Sequence, residues 1–281
     1  MVNYNEWIRD ARVQLSEYTQ DIQSVEWLVM DILGWNRMDL ILNQNQFIPK
    51  EILCCLDEGL MALKNHVPVQ YIVGKATFWG KSFKVNEHVL IPRPETEEVV
   101  ERFLNLIPSN GKIADIGTGT GVIAITVKNE RPQLKVYASD ISNEALNTAR
   151  DNATTHQSNI HFLLGDGLKP FINQNIYLDG LISNPPYIGY DELKAMDQSV
   201  IQYEPHVALF ADQGGYALYE QLFQDIPKVL NDGAPVVMEI GYQQGKQLKE
   251  KLLTYYPHLF PEVHHDINGN ERILSFIWTH E

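Results

Sequence analysis

Ser183-Asn184-Pro185-Pro186-Tyr187-Ile188 is the stretch of this 281-residue chain whose residue types best suit chemistry. It follows the apolar pair Leu181-Ile182, which reads as the end of a buried strand. Proline donates no N–H and fixes its own φ, so neither strand nor helix continues through Pro185-Pro186. The Asn184 amide, two stiff carbonyls and the Tyr187 ring are thus presented together at a strand's C-terminal end, where open α/β sheets bind ligands. The Asn184 side-chain oxygen and the Pro185 carbonyl are two acceptors. They can take both hydrogens of a planar –NH2 group while Tyr187 stacks on its face. That arrangement suits alkylation of an amide or exocyclic amine nitrogen, although the same residues alone also make an ordinary prolyl turn.

Three other strand ends carry complementary signals. Gly117-Thr118-Gly119-Thr120-Gly121 follows a strand expected over 112–116 and precedes a helix over 122–128. Glycines there let a ligand approach the backbone without Cβ clashes. The pattern is neither G-x-G-x-x-G nor a phosphate loop with Gly-Lys-Ser/Thr. Asp140, followed by Ile141, ends a second strand over 135–140, where a carboxylate can accept from both ribose hydroxyls. Asp166-Gly167 ends a third strand over 160–164, and its acid is set to meet an adenine amino group. Each acid alone is more often a solvated turn residue. Together they fit a nucleoside without phosphate, such as S-adenosylmethionine, whose cationic sulfonium an acidic cleft would favour. No nucleophile–histidine arrangement is evident. His264-His265 read as surface or structural residues, and no metal site is expected.

The elements that must position these residues follow from periodicity. Trp7, Ile8, Ala11 and Leu15 have helical spacing, as do Ile22, Val25, Leu28, Val29, Ile32 and Leu33 before Gly34. Ile52, Leu53, Leu56, Leu60 and Leu63 follow Pro49 in a third helix. The period then changes to two in Thr77-Phe78-Trp79 and in Ser82-Phe83-Lys84-Val85 around Gly80, followed by Val89-Leu90-Ile91. Arg93 and Glu97 lie in the stiff loop leading to a helix over 99–106, where carboxylates favour the helix N-terminus and can also line a cleft. Beyond the Gly-rich turn come a helix over 145–153 capped by Ser142, a strand over 178–183 that delivers Asn184, a helix over 216–229 and a strand over 235–240. A helix over 243–255 and closing strands over 263–266 and 273–278 complete the chain. Strands alternating with helices imply an α/β fold with a doubly wound, mostly parallel sheet.

Composition narrows the class. Hydrophobic residues make up 44% and charged residues 21%, which is an ordinary globular balance. There is no apolar run long enough to span a bilayer and no basic-then-apolar start, so a cytoplasmic protein is expected. The adjacent Cys54 and Cys55 make no disulfide framework and read as small buried hydrophobes. The net charge is -14, with six Lys/Arg against ten Asp/Glu in residues 1–75 and twelve against twenty-one in 111–281. Duplex DNA binders carry a basic footprint, so nucleic acid is not the expected substrate.

With these residues in view, the chain resembles the protein-(glutamine-N5) methyltransferases that modify peptide-chain release factors. The matching pieces include Pro68-Val69-Gln70-Tyr71-Ile72-Val73-Gly74, Phe78-Trp79-Gly80 and Ile91-Pro92-Arg93-Pro94-Glu95-Thr96-Glu97. Residues 115–125 and 183–188, Tyr203-Glu204-Pro205-His206-Val207-Ala208-Leu209 and Glu239-Ile240-Gly241 extend the match in order. Ala211-Asp212-Gln213-Gly214-Gly215 departs slightly from the family's Gly-rich form. The resemblance implies a class I methyltransferase, Rossmann-like, acting on the glutamine of a Gly-Gly-Gln tripeptide with S-adenosylmethionine as cofactor. It implies a small all-α N-terminal domain over 1–75 that helps dock the release factor, a β-hairpin linker over 76–92 and a methyltransferase domain over 93–281. Cofactor contacts would come from Asp115, the 117–121 turn, Asp140, Ile141, Asp166, Gly167 and Asn184. The glutamine would be bound by Asn184, Pro185, Pro186, Tyr187, Arg93 and Glu97, with Asn184, Pro185 and Tyr187 as the catalytic residues. Release factors are the expected partners, with no direct nucleic acid, no membrane and the chain as a monomer. Two other readings remain open at this point: adenine-N6 methylation of DNA or RNA, which uses the same corner, and a non-catalytic release-factor-binding protein with a relict cofactor site.

Overall fold

A computed structural model describes residues 2–280, except the side chains of Lys194 and Ala195. Two compact units result: one runs up to Lys75 and takes in Asp197–Tyr203, the other holds Ala76–Met196 and continues from Glu204.

The first unit is helical: α1 (Tyr4–Leu15), α2 (Ser24–Leu33), α3 (Arg37–Asn43), α4 (Lys50–Lys64) and α5 (Val69–Val73). Helix α1 forms because Asn3 and Glu6 make a reciprocal capping box and because Trp7, Ile8, Ala11 and Leu15 fall on one buried stripe. Helix α2 stops at Gly34, which takes the left-handed conformation at its C-cap. Periodicity finds α1, α2 and α4, whereas α3 and α5 are too short to show a period. Trp7 is buried and Trp35 packs edge-on against Tyr4, but Trp27 is exposed. Cys54 and Cys55 are exposed, contrary to the expectation of burial. The buried stripe of α4 runs through Leu56, Gly59, Leu60 and Leu63, and two residues before that stripe a helix faces the other way.

The second unit begins within β1 (Lys75–Phe78), which forms a hairpin with β2 (Lys81–Lys84). Its turn is Trp79-Gly80, both with positive φ, so Trp79 belongs to the turn and not to a strand. The apolar run Val89-Leu90-Ile91 is not a strand either. Val89 and Ile91 are buried, but the Ile91 N–H donates to a carboxylate oxygen of Glu204 at 3.1 Å instead of entering a ladder. Helix α6 (Glu95–Leu106) starts four residues before its apolar stripe, and its first turn carries Glu95, Glu97 and Glu98.

Seven strands make the main sheet: β3 (Gly111–Ile116), β4 (Leu134–Asp140), β5 (Ile160–Leu164), β6 (Gly180–Ser183), β7 (Pro235–Glu239), β8 (Glu262–His265) and β9 (Glu271–Ile277). Their order is β5-β4-β3-β6-β7-β9-β8. The first five in that order are parallel, β9 runs antiparallel to β7, and β8 antiparallel to β9. Alternate residues serve opposite faces, as the pleat requires. Ala114, Leu181, Val236 and Met238 pack against the helices Ala217–Asp225 and Gly245–Tyr255. Ile113, Val136, Ile182 and Val237 pack on the other face against α6 and α7 (Val122–Glu130). Burial on both faces explains why β6 and β7 read as continuous apolar runs.

Ser142 caps α8 (Asn143–Thr155) as expected, accepting from the Ala145 N–H at 3.1 Å. The helix expected over 216–229 stops at Asp225, because Pro227 forces a 3-10 turn over Ile226–Lys228. Buried Asn152 ties α8 to two other parts of the unit. It accepts from the Lys84 N–H, donates back to the Lys84 carbonyl and donates to the Thr120 carbonyl. Among the described residues no helix is long and apolar enough to cross a membrane.

Strand β3 has β4 on one side and β6 on the other, so successive connections leave it in opposite directions. That switch opens a crevice beyond the C-terminal ends of β3 and β6. The Gly-rich turn leaves one of those ends and the Asn184 corner leaves the other.

Candidate active site

The turn after β3 is built by its own backbone. Gly117 and Thr118 N–H groups both donate to the Ser139 carbonyl, at 2.9 and 3.0 Å. Asp115 is fully buried behind the turn, where Oδ2 accepts from the Thr118 hydroxyl at 2.6 Å and from the Ala124 N–H at 3.2 Å. Burial pushes its carboxyl up to about 7, against the pull of those two donors. Gly119, half-buried, has φ +52, and a Cβ there would meet nothing within 4 Å. Its N–H donates to Asp140 Oδ2 at 2.9 Å, while Asp140 Oδ1 accepts from the Ser142 N–H at 2.9 Å. Burial holds the Asp140 carboxyl above its ordinary range, with backbone donors opposing.

The corner after β6 sits beside this turn. The Ser183 hydroxyl donates to the Ile116 carbonyl at 2.7 Å, and a Cβ on Gly117 would lie 3.9 Å from the Asn184 carbonyl oxygen. From Asn184 a chain of hydrogen bonds runs inward. Its Nδ2 donates to Thr96 Oγ1 at 3.1 Å, and Thr96 Oγ1 donates to Glu239 Oε2 at 2.6 Å. The Tyr187 hydroxyl donates to Glu239 Oε1 at 3.3 Å. Glu239, at the end of β7, is 1% exposed, and burial pushes its carboxyl up to about 7 although Thr96, Arg272 and Tyr187 all oppose. Burial and the neighbouring Glu239 push the Tyr187 phenol well above its usual range.

Both pieces open on one cavity of about 400 Å³. Gly117, Thr118, Gly119, Thr120, Asp140 and Ile141 line it on the turn side. Asp166, Gly167, Asn184, Pro186 and Arg93 are among the other residues that line it. Arg93 is held there by Glu204, which is 3% exposed and accepts its guanidinium at 2.5 Å. Asp166 is engaged by Lys169.

Five residues singled out from the sequence do not line the cavity. Asp115 shapes the turn from behind, and Gly121 starts α7 against Ala149. Pro185 is buried, which leaves its backbone carbonyl as the group it can offer, and Glu97 accepts from the Trp79 N–H at 2.7 Å, which anchors the hairpin. Tyr187 is committed by its hydroxyl to Glu239 and by its carbonyl to Gln244, whose Nε2 donates at 2.8 Å. Both contacts hold the corner in place, and neither occupies the face of the ring.

Three further residues enter the site with no role foreseen: Thr96, Glu204 and Glu239. Glu239 carries a signal that was readable, since it is an acid at the end of an apolar strand just as Asp140 is. Thr96 sits at the start of α6 and shows no local pattern for what it does.

Comparison with known proteins agrees with this architecture. Residues 96–233 match the family described as Methyltransferase small domain, and residues 6–74 match the PrmC N-terminal domain. The release factor glutamine methyltransferase of Staphylococcus aureus is 48% identical over 278 residues, covering 99% of this chain and all of the relative. That of Bacillus subtilis is 38% identical over 275 residues, with 96% of each chain covered. Among solved structures, a methyltransferase from Pyrococcus furiosus superposes with a TM-score of 0.52 at 15% identity, covering 72% of this chain and 90% of its own. At that identity the likeness speaks to the fold.

Proposed function

This chain belongs to the release factor glutamine methyltransferase family, and on that premise we propose that it methylates the glutamine side-chain amide N5 of the Gly-Gly-Gln tripeptide of peptide-chain release factors. The observation that carries the reading is that Asn184 and the 117–120 turn, from adjacent parallel strands, share one cavity.

S-adenosylmethionine is the cofactor of this reading, and it supplies an electrophilic methyl group on a cationic sulfonium. The residues on the turn side fit such a ligand. Gly119 leaves open space over its backbone, Asp140 offers a carboxylate, and Ile141, 58% exposed, offers apolar surface for a purine face. Asp166 and Gly167 would take the edge of the base. A cation is favoured beside these acids, and no basic side chain is needed for a phosphate.

An amide nitrogen is a poor nucleophile because its lone pair is delocalised into the carbonyl. Asn184 Oδ1 and the Pro185 carbonyl accept its two hydrogens and fix the direction of that lone pair. Orientation of this kind is worth up to about 7–11 kcal/mol of barrier. The alkylated nitrogen is acidic and sheds its proton to solvent, so no strong base is required before attack. The helical unit up to Lys75 serves in this reading to dock the release factor, and the chain acts as a monomer without direct nucleic-acid contact.

Asp140→Asn tests the cofactor assignment. Loss of one charge-assisted acceptor costs about 1.5–3 kcal/mol. Calorimetry is therefore expected to show S-adenosylmethionine binding weakened by about tenfold to a hundredfold with the melting temperature nearly kept. Binding within twofold of the wild type would remove Asp140 from the site. Labelled methyl transfer to purified release factor and, in parallel, to duplex DNA tests the acceptor. Label on the release factor alone supports the reading, and label on DNA alone overturns it in favour of the adenine reaction.

A further inference from the structure

We propose that Glu239, acting through Thr96, sets which way the Asn184 amide faces and so decides whether the corner can accept a substrate –NH2 group. The inference rests on the function proposed above and concerns Glu239, which does not line the cavity and acts through Thr96.

The number of available hydrogens decides the polarity. A threonine hydroxyl has a single hydrogen. That of Thr96 is taken by Glu239 Oε2 at 2.6 Å, which leaves only lone pairs for the Asn184 group 3.1 Å away. The atom facing Thr96 is therefore the Asn184 nitrogen, and Oδ1 is turned toward the cavity that Thr96 and Asn184 both line. A carboxylate at position 239 enforces this polarity because it can only accept. It accepts from the Tyr187 hydroxyl with its other oxygen and so holds both ends of the corner.

Protonation of Glu239 removes the constraint. The acid can donate to Thr96 Oγ1, freeing the Thr96 hydrogen for the Asn184 oxygen, and the amide can then rotate to put its –NH2 toward the substrate. Two –NH2 groups facing each other offer no acceptor, and the corner no longer holds a glutamine amide. The groups that face Glu239 set where this happens. Thr96 and Glu95 lie on α6, Arg272 on β9 and Tyr187 on the corner. Arg272 is shared with buried Asp266, to which its Nε donates at 3.2 Å. The Tyr219 hydroxyl is spent on the Glu239 backbone carbonyl. Burial outweighs these partners, and the Glu239 carboxyl titrates at about 7.

Three variants test this. Glu239→Gln cannot accept from both Thr96 and Tyr187, and misplacement of the amide is expected to cost about a hundredfold in kcat. Affinity for S-adenosylmethionine should stay within twofold. Wild-type kcat should fall as pH is lowered through about 7, and this acid limb should vanish in Glu239→Gln. That comparison also separates Glu239 from Asp115, the other buried carboxyl raised to about 7. Thr96→Val should reproduce the loss of kcat, and Thr96→Ser, which keeps the hydroxyl, should restore it. The Thr96 pair decides the matter if Glu239→Gln fails to fold. As a readout independent of turnover, hydrogen exchange of the Asn184 side-chain amide should be slow above pH 7 and faster in Thr96→Val. An acid limb that survives in Glu239→Gln, or wild-type kcat and amide exchange in Thr96→Val, would overturn the proposal. Wild-type enzyme that transfers nothing to release factor would instead overturn the function on which it rests, while the amide-exchange result would still decide the positioning claim.

Discussion

Asn184→Ala is expected to lower methyl transfer at saturating substrates by about a hundredfold to a thousandfold, the usual cost of removing one preorganised polar partner from a reacting group. The side chain makes a single hydrogen bond to the protein, the 3.1 Å donation to Thr96, and it lies at the rim of the cavity instead of in the sheet core. Its removal leaves Thr96 donating to Glu239 as before. Stability should therefore drop by only about 1 kcal/mol, or about 2–4 °C in melting temperature. Cofactor affinity should weaken at most moderately, because the turn side of the cavity is held by β3 and β4 residues. The three measurements belong together: lost kcat, a near-normal melt and retained cofactor binding. A variant with near-normal turnover would take Asn184 out of the mechanism.

Gly215→Ala is expected to have the largest structural effect of any single methyl group near the site. Gly215 has φ +87, and a Cβ there would lie 2.1 Å from the Tyr187 carbonyl oxygen and 2.7 Å from its carbon. These are backbone atoms, and no rotamer change relieves them. The same carbonyl accepts from Gln244, so the segment carrying Gly215 and the corner carrying Asn184 and Tyr187 must separate. Left-handed strain costs about 1–2 kcal/mol, and forced overpacking adds about 1–3 kcal/mol. A melting decrease of several degrees should accompany a large fall in kcat. Gly214→Ala is the control. Its φ is +67, but the nearest atom a Cβ would meet is the Tyr216 ring at 3.9 Å, so only the strain remains. Equal melts and equal turnover in the two variants would show that the close approach of Gly215 to Tyr187 does not matter.

What was legible in the sequence was local. The Gly-rich turn, the acid ending β4 and the double proline after β6 each declare themselves within a few residues, and the sheet topology then brings them together. Relations across long separations had no such signature. Thr96 and Glu239 are 143 residues apart, and Glu204 and Arg93 are 111 apart. Their pairing depends on α6 packing beside β7 and on the loop that returns from the short helices around Tyr203. The two prolines announce that the Tyr187 ring is presented at the corner, but nothing near it in the chain announces that its hydroxyl reaches a buried carboxylate 52 residues away. Apolar character misled twice in the same way. Val89 and Ile91 are buried as irregular chain, and Cys54-Cys55 lies on the solvent side of an amphipathic helix. The three successive positive φ values at Gln213, Gly214 and Gly215 account for the Gly-rich character of that loop, which the sequence comparison registered only as a motif.

The most direct test of the central claim is tandem mass spectrometry of release factor after incubation with the enzyme and S-adenosylmethionine, in parallel with release factor whose Gly-Gly-Gln glutamine is replaced by alanine. The expected result is one added methyl group, located on the side chain of that glutamine, and no modification of the substituted protein. A methyl group on any other residue, or equal modification of both proteins, would contradict the account.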